Sequence, residues 1–128
     1  MKLLLDTHTF IWWASAPEKL SEKALAACEN TENSLILSVA SAWGMQIKSH
    51  LGKLRLDMPL KELIKSQKKE NDLKILPVEL KHTYELNTLP SIHKDPFDRL
   101  LIAQSNLEDL ILVSKDSKFS GYSVNVLW

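Results

Sequence analysis

Apolar residues fall into two alternating patterns along the chain: short uninterrupted runs, and stripes at three- and four-residue spacing. The runs are Lys2–Leu5, halted by Asp6, then Ser34–Ser38, Leu73–Leu76 ended by Pro77, Ile111–Val113, and a fifth at Val124–Val126. Runs of that length without polar alternation suit strands buried on both faces. Between them the stripes predict helices. Leu20-Ser21-Glu22-Lys23 opens one, with Ser21 as its cap and Leu20, Ala24, Leu25 and Cys28 on one side. From about Ser41 to Leu51 a second carries Trp43, Ile47 and Leu51 at four-residue spacing, with Gly52 as its stop. Pro59 suits the first turn of a third, which shows Leu60, Leu63 and Ile64, and Glu79–Leu86 forms a short fourth. Pro90–Lys94 is a loop, and Pro96 starts a helix continued by Leu100, Leu101, Ala103, Gln104 and Leu107. Strands alternating with helices predict a three-layer α/β/α fold with a central parallel sheet of four to five strands. No repeat, low-complexity tract or linker divides residues 1–128, so a single domain is expected.

Composition narrows the class. The 128 residues hold 16 Lys+Arg against 16 Asp+Glu, 45% hydrophobic and 25% charged, which fits a globular domain and excludes one that coats nucleic acid by overall charge. A local basic face survives: Lys48 to Lys74 contains eight Lys/Arg against four acids, as an RNA-facing surface or as a solvated helix face. Cys28 is the only cysteine, so no internal disulfide exists and a buried structural thiol is expected. Apolar runs reach only five residues, as in Phe10–Ala14, against the ~20 of a membrane helix. No membrane partner and a cytoplasmic location are therefore expected. The aromatic run Phe10, Trp12 and Trp13 serves core packing or an interface with a second copy or another protein.

Chemistry gathers at the ends of the strands. Ligands of open parallel sheets sit beyond the carboxyl ends of the strands. Asp6 directly follows the first run, Asp116 follows the fourth by three residues, and Asp95 and Asp98 flank Pro96-Phe97 at a helix start. Each has a structural explanation on its own: turn former, helix cap, or a first-turn acid favoured by the helix dipole. Together they would repel one another unless a cation sat between them, and a hard divalent ion is the usual solution. Such an ion lowers the pKa of a bound water and neutralises charge on a phosphoryl oxygen, which points to phosphodiester hydrolysis. His8 and His93 lie near these acids, as substrate contacts or as hydrogen-bonding groups that shape the site. The four histidines show no zinc-ligand spacing, and three glycines form no phosphate loop.

Leu3-Leu4-Leu5-Asp6-Thr7-His8 with Trp12-Trp13, Ser38-Val39-Ala40-Ser41-Ala42-Trp43, the stretch from His93 to Gln104, Leu112 to Asp116, and the closing Val126-Leu127-Trp128 resemble a PIN-domain protein. The nearest likeness is to the VapC-like toxins of bacterial toxin–antitoxin systems. The resemblance spans the chain and implies an Mg²⁺- or Mn²⁺-dependent ribonuclease, neutralised by a protein antitoxin and assembled as a homodimer. It implies that Asp6, Asp98 and Asp116 are catalytic metal-site acids, with Asp95 as an additional acid. Thr7 and Ser114 match the small hydroxyl positions beside them, and Arg99 follows Asp98.

One position departs. The family carries a glutamate after the tryptophan of the Ser-x-x-Ser-x-Trp segment, and this chain has Gly44. A glycine inside a helix costs about 1 kcal/mol relative to alanine, and loss of an acid weakens hard-cation binding. Gln46, two positions on, lies on a different helix face and does not replace the acid. Two readings follow: an impaired metal-dependent ribonuclease, or a PIN-fold binding module that acts through antitoxin or RNA. An aspartyl phosphotransfer site fits less well, because it wants a second Asp two residues after the first, where His8 stands.

Overall fold

The computed structural model describes residues 1–92 and 94–128; His93 lies outside the described residues. Five strands form one sheet: β1 (Lys2–Leu5), β2 (Ser34–Ser38), β3 (Lys74–Leu76), β4 (Ile111–Val113) and β5 (Val126–Leu127). All pairs are parallel, in the order β3-β2-β1-β4-β5. Helices α1 (Thr7–Ser15), α2 (Glu22–Glu29), α3 (Val39–His50), α4 (Leu60–Asn71), α5 (Leu80–Glu85) and α6 (Pro96–Leu107) connect them. Leu3, Leu4 and Leu5 are all fully buried, which explains the unbroken apolar run of the central strand. Leu3 and Leu5 face Phe10, Ala24, Cys28, Met45 and Leu63 on one side of the sheet. Leu4 faces Leu101, Ile102, Phe119 and Tyr122 on the other. The expected three-layer α/β/α architecture is present.

Local chemistry sets the helix starts. Ser21 caps α2 by accepting from the Ala24 amide at 3.0 Å. Ser38 caps α3 by accepting from the Ala40 amide at 3.0 Å, so that helix begins about two residues before the Ser41 start expected. Gly52, at φ +73°, supplies the left-handed turn beyond its end. The fifth strand pairs at Val126–Leu127 rather than Val124–Val126, because the Leu112 and Ser114 amides donate to the Asn125 and Leu127 carbonyls. Val124 packs instead against the second core cluster.

Two further features depart from the sequence pattern. The segment after β1 is helix α1, with Phe10 fully buried and Trp12 and Trp13 half-buried. Trp12 contacts His8 and Trp128, at ring-centroid distances of 5.7 and 6.0 Å. In α3 the stripe Trp43, Ile47 and Leu51 points outward, Trp43 being 64% exposed, while Ala40, Ser41 and Met45 take the core side.

Cys28 is buried as expected. Burial, reinforced by the nearby Glu29 charge, pushes its thiol up to about 11. The native chain should therefore leave Cys28 unmodified by a maleimide or an aromatic disulfide reagent near neutral pH, and expose one reactive thiol in denaturant. Fast stoichiometric labelling of the native chain would contradict this.

Candidate functional site

The sheet order changes direction between β1 and β4, so the loops leaving these neighbouring strands part in opposite directions and open a cleft beyond their carboxyl ends. Leu5 lies beside Val113 in the register. That pairing sets Asp6 next to Ser114, although they are 108 positions apart in sequence.

Asp6 is the N-cap of α1 and is 8% exposed. One carboxylate oxygen accepts from the Thr9 amide at 2.9 Å, and the other accepts a short hydrogen bond from the Ser114 hydroxyl. The Thr9 hydroxyl in turn donates to the Val113 carbonyl at 2.9 Å, tying α1 to β4. Ser114 is itself buried, and its oxygen accepts from the Asp116 amide at 3.0 Å. One serine thus joins the backbone of the second acid to the side chain of the first. Asp116 caps a 3₁₀ turn, Ser117–Gly121, by accepting from the Lys118 amide at 2.9 Å.

Asp98 comes from the third element of the site, α6. Asp95 is the N-cap of that helix and accepts from the Phe97 and Asp98 amides at 2.9 and 3.1 Å. Pro96 occupies the first helical position, where its missing N–H costs nothing. Asp98 reaches Asp116 through a lysine: the Lys118 ammonium lies 3.3 Å from Asp98 Oδ2 and 3.2 Å from Asp116 Oδ2. The Asp98 charge, foremost among several causes, holds the Lys118 pKa above its ordinary value. Asp6, Ser114, Asp116, Lys118 and Asp98 therefore form a continuous polar chain, with Asp95 exposed at its edge.

Two hollows flank this chain. One, of about 230 Å³, is lined by Asp6, His8, Trp12, Lys115 and Asp116. The other, of about 90 Å³, brings Thr7, Gly44, Lys48, Asp95, Phe97 and Asp98 together. Gly44 thus lines the same hollow as Asp95 and Asp98, and a Cβ there would sit 3.7 Å from the Phe97 ring, an ordinary contact. Arg99 is turned elsewhere. Its guanidinium donates to the Pro90 and Leu86 carbonyls at 2.7 and 3.1 Å and to the Tyr122 hydroxyl at 3.3 Å. It anchors the loop that precedes α6 rather than facing Asp98.

The chemistry of the donor set suits a hard divalent cation, although among the described residues Asp6, Asp98 and Asp116 do not bring three ligand atoms within 4.8 Å of one another. It offers carboxylate and hydroxyl oxygens, and an ammonium already stands between two of the carboxylates. Another set, Glu79, His82 and Glu108, has ligand atoms within 4.8 Å of one another, but its hydrogen bonds are committed. The fully buried His82 accepts at Nδ1 from the Glu79 amide at 2.9 Å. Its Nε2 therefore carries the proton and donates to Glu108, 3.0 Å away. Lys81 pairs with the same Glu108 oxygen at 2.8 Å. Gln104, also fully buried, links this network to the sheet by accepting from the Ser38 hydroxyl at 2.6 Å and donating to the Pro77 carbonyl at 3.2 Å. This set is a structural brace.

Lys118 and the Ser38–Gln104–His82 brace are the parts that sequence reasoning misses. A lysine two positions after an acid in a turn looks like solvated surface, and only the packing of α6 beside β4 places it among acids. The basic residues between Lys48 and Lys74 are all exposed, and Lys74 pairs with Asp72 at 3.3 Å. No helix among the described residues is long and apolar enough to cross a membrane.

By sequence comparison, no curated protein matches the chain. Among solved structures the fold is similar to VapBC2 from Rickettsia felis, bound to a DNA fragment from its promoter. There the TM-score is 0.75 at 15% identity, covering 99% of this chain and 98% of that one. It is also similar to DNA-bound VapBC from Salmonella typhimurium (TM-score 0.69, 13% identity, 99% of this chain and 97% of that one). FitAcB from Neisseria gonorrhoeae is a third likeness (TM-score 0.66, 18% identity, 98% and 96%). Such identities speak for the fold alone. The PIN domain profile, however, matches residues 3–125, a span that holds every arm of the acidic site from Asp6 to Asp116, and the chain belongs to the PIN domain family.

Proposed function

We propose that this chain is a VapC-like toxin: an Mg²⁺- or Mn²⁺-dependent endoribonuclease of the cytoplasm, neutralised by a protein antitoxin. The observation that carries the reading is the approach of Asp98 and Asp116 to one cation, with Asp6 joined to Asp116 through Ser114. A bound divalent ion would supply a water of lowered pKa and neutralise charge on the phosphoryl oxygen. Asp6, Asp98 and Asp116 would hold it, and Ser114 and the Thr9 amide keep the Asp6 carboxylate in one orientation. Asp95 orients the first turn of α6 and so aims Asp98. Thr7 lines the hollow between Asp98 and Gly44, where a phosphate oxygen would meet it. The exposed bases between Lys48 and Lys74 offer a surface for the flanking RNA phosphates.

A second reading has its own observation. The hollow at Gly44 has room for the acid that the family carries and this chain lacks, which favours a binding module that retains partner contacts with little cleavage. RNA hydrolysis under an Mg²⁺ and Mn²⁺ titration, measured on this chain and on Gly44→Glu, separates the two. Asp98→Asn in each background should abolish any cutting. If neither chain cuts RNA in either metal, the enzyme reading is abandoned.

The homodimer is proposed through an exposed apolar face. Val39, Trp43, Val78, Pro96, Phe97 and Leu100 line a hollow of about 480 Å³, and Trp43 meets Phe97 edge-on at 5.3 Å. An apolar surface with an aromatic at its centre suits a protein contact. Trp43→Asp should convert a dimer to a monomer in light scattering without unfolding it. A chain that is monomeric before the substitution refutes the dimer.

A further inference from the structure

The geometry points to Lys118 as a tethered counter-cation of Asp98 and Asp116, one that competes with any divalent ion these acids would hold. The inference rests on the metal-site reading above and adds a competitor within the chain. Two carboxylates from different elements, α6 and the turn after β4, approach one ammonium at 3.3 and 3.2 Å. Two carboxylates that share a site disfavour each other's ionisation, and a positive group between them offsets that cost.

The lysine is built to leave. Its backbone is fixed, because its own amide donates to Asp116 Oδ1 at 2.9 Å. Its side chain is 48% exposed, and a four-carbon stem lets the ammonium swing into water while the turn stays in place. A divalent ion held by the same acids would lie close to this positive charge, and at so short a range salt screens the Coulomb repulsion only weakly. Lys118 therefore weakens cation binding and offsets the charge of the two acids. Gly44 acts in the same direction by withholding an acid, so this chain's site is tuned toward the metal-free state from two sides.

The test is Mn²⁺ binding, followed by the electron paramagnetic resonance of the free ion, on the full chain and on Lys118→Met, Lys118→Gln and Lys118→Arg. Lys118→Met and Lys118→Gln should bind Mn²⁺ about tenfold more tightly than the parent. Their metal-free melting midpoints should fall and recover on adding Mn²⁺. Lys118→Arg, which keeps the charge, should stay within about twofold of the parent. Unchanged or weaker binding in the neutral variants overturns the inference, as does tightening in Lys118→Arg equal to that in Lys118→Met. Absence of Mn²⁺ binding in every chain at millimolar ion overturns it together with the metal site. Tighter Mn²⁺ binding with no RNA cleavage in any chain leaves it standing and removes only the nuclease reading.

Discussion

Gly44→Glu should raise divalent-cation affinity on the order of tenfold to a hundredfold, since hard-cation affinity follows the number and charge of oxygen ligands, and RNA cleavage should rise with it. Space is available: the new Cβ would lie 3.7 Å from the Phe97 ring, a normal separation. The position lines the hollow that also holds Thr7, Asp95 and Asp98, so the introduced carboxylate starts among the acids it would join. Lys48 is one turn further along α3 and lines the same hollow, in the favourable Glu-to-Lys order at i,i+4. It would offset part of the added charge in the metal-free protein, which keeps the variant foldable. Replacing a mid-helix glycine also stabilises α3 by roughly 0.5–1 kcal/mol. The two effects separate by measurement. A melting midpoint that rises equally with and without Mn²⁺, with unchanged Mn²⁺ affinity, reports helix propensity alone and defeats the ligand argument.

Phe10→Ala should cost about 3–5 kcal/mol, the range for removing a fully buried phenylalanine. For a domain of this size that lowers the melting midpoint by on the order of 10–20 °C. Phe10 is fully buried in the larger core cluster, against the face of the sheet that holds Leu3 and Leu5. Its loss also loosens α1, whose first residues hold Asp6 through the Thr9 amide and β4 through the Thr9 hydroxyl. Weaker hydrogen-exchange protection at the Thr9 amide should accompany the thermal loss. Trp43→Ala is the contrast, because within one chain that ring is 64% exposed and touches Phe97 edge-on, so about 1 kcal/mol or less is expected of the monomer, measured at a concentration too low for dimers. Equal losses in the two variants would refute the assignment of inner and outer aromatics.

Strands and caps were legible where one residue type carried one message. Leu3-Leu4-Leu5 before Asp6 could only be a strand buried on both faces with a polar stop, and Ser21 and Asp95 announce helices by their chemistry alone. The α1 helix was hidden because Phe10 to Ala14 is apolar throughout: with core on one side and half-buried tryptophans on another, no polar stripe marks a period. Periodicity did find α3 but not its orientation. Trp43, Ile47 and Leu51 form a regular stripe, yet the neighbouring small residues Ala40 and Ser41 allow the close approach to the sheet, and the large ones face out. At the site, the acids could be named because each follows a strand or opens a helix. Arg99 and Lys118 could not be assigned, because the direction of a long side chain depends on elements far away in sequence. Arg99 turned to the loop at Leu86 and Pro90, and Lys118 to the acids.

The placing of β1 between β2 and β4 has a consequence in time as well as in space. Asp6 is among the first residues synthesised, but its partner Ser114 and the bridging Lys118 come more than a hundred residues later. Until β4 docks beside β1, Asp6 has neither its serine nor a neighbouring acid, and an emerging chain carries only separate fragments of the cleft. Closing so long a loop is slow compared with forming local helices. The acidic cleft is therefore incomplete while the chain is still on the ribosome. Its own topology withholds the site until nearly all of the sheet has been made.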